Sequence, residues 1–124
     1  MSDIVRPMQA MDIDRVYELE KTCFRTPWSR DSLAGELKNK IAHYLVLERD
    51  GRVVAYAGMW IIYEEAHITN VAVDPAFRRQ GIAKRVMLCM MRTARLFDAT
   101  EMTLEVRDCL LYTSPSPRDM RRSR

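Results

Sequence analysis

The chain has 124 residues, 48% of them apolar and 30% charged, the profile of one folded domain rather than of two domains or a disordered chain. No apolar stretch reaches the roughly eighteen residues of a membrane helix, and the amino terminus has no charged-then-apolar leader, so a cytoplasmic protein with no membrane contact is expected. The net charge of +3 sits in residues 109–124, where four arginines face Asp119; residues 1–108 are neutral overall and offer no footprint for DNA or RNA.

Ile4 and Val5 ahead of Pro7 read as a short edge strand. Asp12 then stands as the cap of a helix with Ile13, Val16, Tyr17 and Leu19 on or near one face. Pro27 stops that region, and Ser29 caps a second helix with Asp31 in its first turn, where negative charge suits the dipole. Trp28 and Leu33 occupy the two positions of a hydrophobic staple around that cap. Two strand-like runs, His43–Arg49 and Arg52–Tyr63, flank Asp50-Gly51, the dipeptide of a tight hairpin. Gly58 inside the second run marks a bulge or a bend. A third run, His67–Val73, ends at Asp74-Pro75, and after the loop Ala76–Gln80 a helix begins near Gly81, with Ile82, Val86, Cys89, Met90, Thr93 and Phe97 at helical spacing. Met102, Leu104 and Val106 then alternate with Thr103, Glu105 and Arg107 as a last strand.

The order β-α-α-β-β-β-α-β is that of a mixed α/β (α+β) domain with an antiparallel hairpin portion and one strand–helix–strand unit. From Cys109 onward two prolines, three serines and no apolar period predict a disordered or loosely attached tail, with the folded domain at 1–108. Cys23, Cys89 and Cys109 have no paired spacing, so no disulfide framework is expected, and His43 and His67 have no ligand spacing, so no metal is expected.

The chemistry is concentrated in the stretch from Asn70 to Lys84: a strand, a basic loop and a helix start. A helix start has backbone N–H groups without internal partners and the positive end of the dipole, which together favour an anion, phosphate above all. Gly81 and Ala83 are small enough for a diphosphate to approach the backbone, and Arg78, Arg79 and Lys84 add positive charge. The nucleotide-hydrolysing G-x-x-x-x-G-K-[ST] loop and the dinucleotide G-x-G-x-x-G turn are both absent.

Arg78-x-x-Gly81-x-Ala83, following Asn70-Val71-Ala72-Val73-Asp74-Pro75, resembles the signature of the GCN5-related N-acetyltransferase superfamily. With Cys23-Phe24, Pro27-Trp28-Ser29 and Leu104-Glu105-Val106-Arg107, the chain resembles within it the bacterial ribosomal-protein-alanine N-acetyltransferases over residues 1–108. The resemblance implies a mostly antiparallel sheet in which two parallel strands, His67–Val73 and Met102–Arg107, splay apart around acetyl-CoA. Val71, Ala72 and Val73 would meet the pantetheine arm, and Arg78, Arg79, Gln80, Gly81, Ile82, Ala83 and Lys84 the diphosphate. The N-terminal amine of a ribosomal protein would attack the thioester directly, with an N–H near Val73 stabilising the oxyanion and Glu105 as proton acceptor through water. Glu105 also reads as an exposed strand carboxylate paired with Arg107. Trp28, Phe24 and Tyr63 read either as the lining of an acceptor entrance or, with more weight, as packing beside the helix cap. A monomer is expected.

The family pattern continues past Arg107 with an Asn and then a helix carrying a Tyr that protonates the departing thiolate. Leu110 and Pro117 stand near those places and can do neither job, and Tyr112 is out of register. The tail resembles a translated sequencing adapter, so the expectation is a coding sequence lacking its last helix and strands, with little or no turnover. Acetylation of another amine (lysine, polyamine or free amino acid) and non-catalytic acyl-CoA binding are the competing readings.

Overall fold

The computed structural model describes residues 3–104. The chain runs β1 (Asp3–Pro7), α1 (Ile13–Cys23), α2 (Arg30–Leu37), β2 (Ala42–Arg49), β3 (Arg52–Ile62), β4 (Glu65–Val73), α3 (Ile82–Leu96) and β5 (Glu101–Leu104), with single 3-10 turns at Ala10–Asp12 and Pro75–Phe77. This is the predicted order. The sheet is ordered β1-β2-β3-β4-β5; the first three pairings are antiparallel and β4–β5 is parallel. β1 is an edge strand, as a proline there requires.

The hairpin between β2 and β3 turns on Asp50 at φ 52° and Gly51 at φ 85°, both in the left-handed region that matches the twist of the flanking strands. Gly58 sits at a register shift between β3 and β4. Its missing side chain has a purpose, because a Cβ there would lie 2.2 Å from Cε2 of the buried Tyr44 ring. Ser29 caps α2 by accepting a hydrogen bond from the Ser32 N–H at 3.1 Å, and both Leu33 and Trp28 join the core beneath.

Three expectations are corrected. Asp12 holds the N-cap position of α1, but its side chain makes no cap hydrogen bond to that helix: it closes the preceding 3-10 turn, accepting from the Gln9 N–H at 2.8 Å and pairing with Arg6 at 2.8 Å. A rigid guanidinium fork outcompetes a helix cap for the carboxylate. The buried stripe of α3 is Ile82, Val86, Met90 and Ala94, while Phe97 is the C-cap, 51% exposed, with its ring 4.3 Å from that of His43. In β5, Met102 packs on the core but Leu104 is 41% exposed, on the outermost strand among the described residues.

Two cores separate across the sheet. On one face α3 packs against Leu45, Leu47, Ala57, Met59, Ile68, Val71 and Val73. On the other, α1 and α2 cover Tyr44, Val46, Val53, Tyr56 and Ala72.

Candidate active site

β4 delivers the chain to the site. Its pairing with β5 is described up to Ile68 opposite Leu104, and β4 then continues through Val73. Asp74 donates its N–H to the Val54 carbonyl on β3 at 2.8 Å. In a pleated strand successive residues alternate sides, so the N–H and C=O groups of Val73 and Val71 point to the outer side of β4, away from β3. The side chains of Val71, Ala72 and Val73 are buried, leaving their backbone as the only part able to meet a ligand.

The loop after β4 is pinned at both ends. Asp74 accepts from the Ala76 N–H at 2.9 Å and from Arg15, whose Nε also donates to the Val53 carbonyl at 2.7 Å. Burial pushes the Asp74 carboxyl up, but the Ala76 N–H and the Arg15 guanidinium outweigh it and hold the group below its ordinary value. At the far end the Gln80 side chain accepts a hydrogen bond from Arg49, which also grips Asp3 through two nitrogens at 2.8 Å. Arg49 thereby lowers the pKa of Asp3.

Arg79 at φ 66° and Gly81 at φ 74° bend this loop into α3. The first helical hydrogen bond runs from the Arg85 N–H to the Gly81 carbonyl at 3.1 Å, so the N–H groups of Ile82, Ala83 and Lys84 have no partner within the helix. A Cβ on Gly81 would meet nothing within 4 Å, so the space over this backbone is open. Arg79, Gln80, Ala83 and Lys84 are exposed around it, whereas Ile82 turns its side chain into the core. Arg78 is half-buried; its Nη2 lies 3.7 Å from the Cys23 thiol, and its Nε is buried without a hydrogen-bond partner among the described residues. Amides without a helical partner, an uncovered glycine and a guanidinium N–H orphaned among the described residues together suit a ligand bearing a diphosphate. Glu105, the expected proton acceptor, lies outside the described residues, as do Leu110, Tyr112 and Pro117.

A polar cluster that the sequence reading passed over lies behind β4. Glu20 is fully buried; one carboxylate oxygen accepts from the Trp28 N–H at 2.8 Å and the other from Asn70 Nδ2 at 3.2 Å. Asn70 also donates to the Tyr56 hydroxyl at 3.3 Å and accepts from the Thr69 hydroxyl. The available signal was a glutamate inside the apolar stripe Val16, Leu19, Cys23 of α1. Phe24 is buried and Trp28 half-buried in this same core, in keeping with the packing reading, while Tyr63 is 93% exposed at the turn between β3 and β4. Elsewhere, a groove of about 630 Å³ lies beside α1, but Arg6 and Arg15 in its wall already pair with Asp12, Glu48 and Glu18.

The chain belongs to the acetyltransferase (GNAT) family, which its residues 13–113 match. It is therefore an acyltransferase by family, and acetyl-CoA is the donor that family uses. A Bacillus subtilis protein described as a putative ribosomal protein bS18-alanine N-acetyltransferase is 42% identical over 104 residues, 83% of this chain and 69% of that protein. The ribosomal protein bS18-alanine N-acetyltransferase of Haemophilus ducreyi is 31% identical over 106 residues, 84% of this chain and 71% of that one. Among solved structures, the ribosomal-protein-S18-alanine N-acetyltransferase of Escherichia coli superposes with a TM-score of 0.81 at 21% identity, covering 98% of this chain and 76% of that chain. The PaiA N-acetyltransferase of Thermoplasma acidophilum in complex with coenzyme A gives 0.75 at 16% identity, covering 84% and 79%. These two establish the fold.

Proposed function

We propose that this chain transfers the acetyl group of acetyl-CoA to the N-terminal alanine amine of a ribosomal protein. The observation that carries the donor side is the opening of α3, where the free amides of Ile82, Ala83 and Lys84 adjoin the uncovered Gly81. Arg78, Arg79 and Lys84 supply charge there, and the Gln80 side chain, held by Arg49, keeps the loop in place. The outer N–H groups of Val71 and Val73, flanking Ala72, would meet the pantetheine arm as a strand edge does, while the Val73 carbonyl also accepts from the Cys23 thiol at 3.5 Å. The acceptor side rests on the relatives named for ribosomal protein bS18-alanine acetylation.

The chemistry asked of the protein is modest. A protein α-amino group has a reference pKa of about 7.7–8.0, so part of it is neutral near pH 7.5 and a weak base suffices. In this reading the amine attacks the thioester carbonyl, the Val73 N–H steadies the developing oxyanion, Glu105 takes the proton through water, and the thiolate leaves. With Leu110 and Pro117 near the places of the family's Asn and Tyr, the thiolate lacks its usual proton donor, so turnover is slow.

The test is mass spectrometry of an alanine-starting bS18 peptide incubated with the 124-residue chain and acetyl-CoA. One acetyl group on the α-amine is expected, formed slowly, and reduced further by Glu105→Gln with a changed pH profile. Preferential acetylation of lysine, polyamine or free amino acids overturns the reading, as does CoA binding with no transfer to any acceptor by a chain given the family's Asn and Tyr-bearing helix after Arg107.

A further inference from the structure

We infer that the outer face of α3 is a docking surface for the phosphate backbone of RNA. The charge pattern stands apart from the acceptor reading above. The choice of RNA as the polyanion rests on that reading, because an acceptor drawn from the ribosome has RNA beside it.

Overall neutrality conceals a separation of charge along the chain. Residues 3–74 hold nine basic and twelve acidic groups, whereas residues 75–97 hold six basic groups and no acid. The acids that flank this span in sequence, Asp74 and Asp98, stand outside the helix, and Asp74 is already bonded to Arg15. The sum over residues 1–108 thus gives no footprint for a nucleic acid, while one helix carries a field of a single sign.

The fold turns that charge outward. At about 100° per residue, Lys84, Arg85, Leu88, Met91, Arg92 and Arg95 fall within an arc of about 120°. The buried stripe Ile82, Val86, Met90 and Ala94 lies on the opposite side, against the sheet. All six residues of the outer arc are exposed. Arg85 reaches Asp3 at 3.3 Å and stays half exposed. The side chains of Lys84, Arg92 and Arg95 have no ion pair or hydrogen bond among the described residues. Arg92 and Arg95, three residues apart, repel each other on that face, a cost that a polyanion relieves.

The shape of the patch favours RNA over other polyanions. Lys84 and Arg95 are separated by roughly 16 Å of helix at 1.5 Å per residue, so the row meets successive phosphates and not a single anion. Each guanidinium fork can pair with a phosphate through two N–H groups. A convex helix with cations along its length suits a backbone that tracks past it, whereas an acidic peptide or a vesicle finds only Leu88 and Met91 to bury. Arg92 and Arg95 also lie about two turns or more beyond the opening of α3, so RNA at the far end and CoA at the near end can be held together.

The experiment follows the fluorescence anisotropy of a labelled RNA hairpin titrated with the full chain over a range of salt, beside calorimetry with CoA. Arg92→Gln together with Arg95→Gln should weaken RNA binding about tenfold and flatten the slope of log affinity against log salt by about two. The Kd for CoA should move less than about twofold. Lys38→Gln with Lys40→Gln removes the same charge from exposed positions after α2 and should leave RNA affinity within about threefold. Residues 109–124 are identical in both variants, so their arginines cannot produce the difference. A wild-type chain that ignores RNA, an arginine variant that binds it unchanged, or equal losses in the two variants overturns the inference. So does tighter binding of polyglutamate or of phosphatidylserine vesicles through Arg92 and Arg95. None of these outcomes touches the acceptor reading, which the peptide assay decides in the absence of RNA.

Discussion

The two faces of the sheet are built from different chemistry. The face under α3 is a continuous apolar cluster, from Leu45 and Leu47 through Met59 and Ile68 to Val86 and Met90. The face under α1 and α2 has a smaller apolar cluster with Glu20 and Asn70 buried in it, and hydroxyls of Tyr44 and Tyr56 bonded to Glu36 and Asn70. Apolar packing is non-directional and contributes most of the stability, whereas a satisfied polar network fixes one arrangement of the segments it joins. The fold thus divides labour: α3 holds the sheet together, and α1 holds β4 and the connection 24–29 in register.

Substitutions can break that comparison, the most damaging first. Met90→Ala empties a fully buried site between α3 and the sheet and should cost about 2–5 kcal/mol by urea unfolding. A loss below about 1 kcal/mol would show that the α3 face is not the main source of stability. Gly58→Ala attacks the other face. The new methyl must displace the Tyr44 ring, which is buried and held by its hydrogen bond to Glu36 at 2.9 Å, so about 1–3 kcal/mol is expected. Gly81→Glu should leave both faces intact, cost about 1 kcal/mol for its left-handed backbone, and weaken CoA binding at least roughly tenfold by calorimetry. Unchanged CoA binding would remove the anion role from α3. Ser29→Ala removes the cap of α2 and should cost about 1 kcal/mol by the same unfolding assay.

Acid sharpens the contrast with the smallest effects. Beside α1, hydrogen bonds from Arg6 hold Asp12 below its ordinary value of 3.8, and Asp74 is lowered too. Their contribution is full above about pH 4 and lost as pH falls through their lowered values. On the α3 side, burial lowers the pKa of His43 from 6.5, so the unfolded chain takes up the proton first and stability declines as pH drops below that value. Thermal unfolding from pH 7 to pH 5 should show this shallow decline, and His43→Phe should flatten it.

Most of the frame was legible in the sequence because its signals are local. Asp50-Gly51, Ser29, Gly58 and Gly81 each impose a turn, a cap, a bulge or a helix start through their own backbone or side chain. What was not legible depends on partners distant in the chain. Asp12 obeys Arg6 instead of the helix after it, and Glu20 becomes intelligible only once Asn70, fifty residues later, is folded against it. The loop from Ala76 to Gln80 and the helix start after it could be read in advance, and their anchorage could not. Arg15, Arg49 and Asp3 come from three elements outside that stretch.

That anchorage has a consequence of its own. Arg49 joins the beginning of the chain to the shoulder of the anion loop through an ion pair on one side and an amide on the other. Both side chains of that ion pair are mostly covered and meet at 2.8 Å, well inside a Debye length of about 8 Å, so dissolved salt screens it little. The shoulder of the loop therefore keeps its resting shape as ionic strength rises, and the start of the chain serves as its brace.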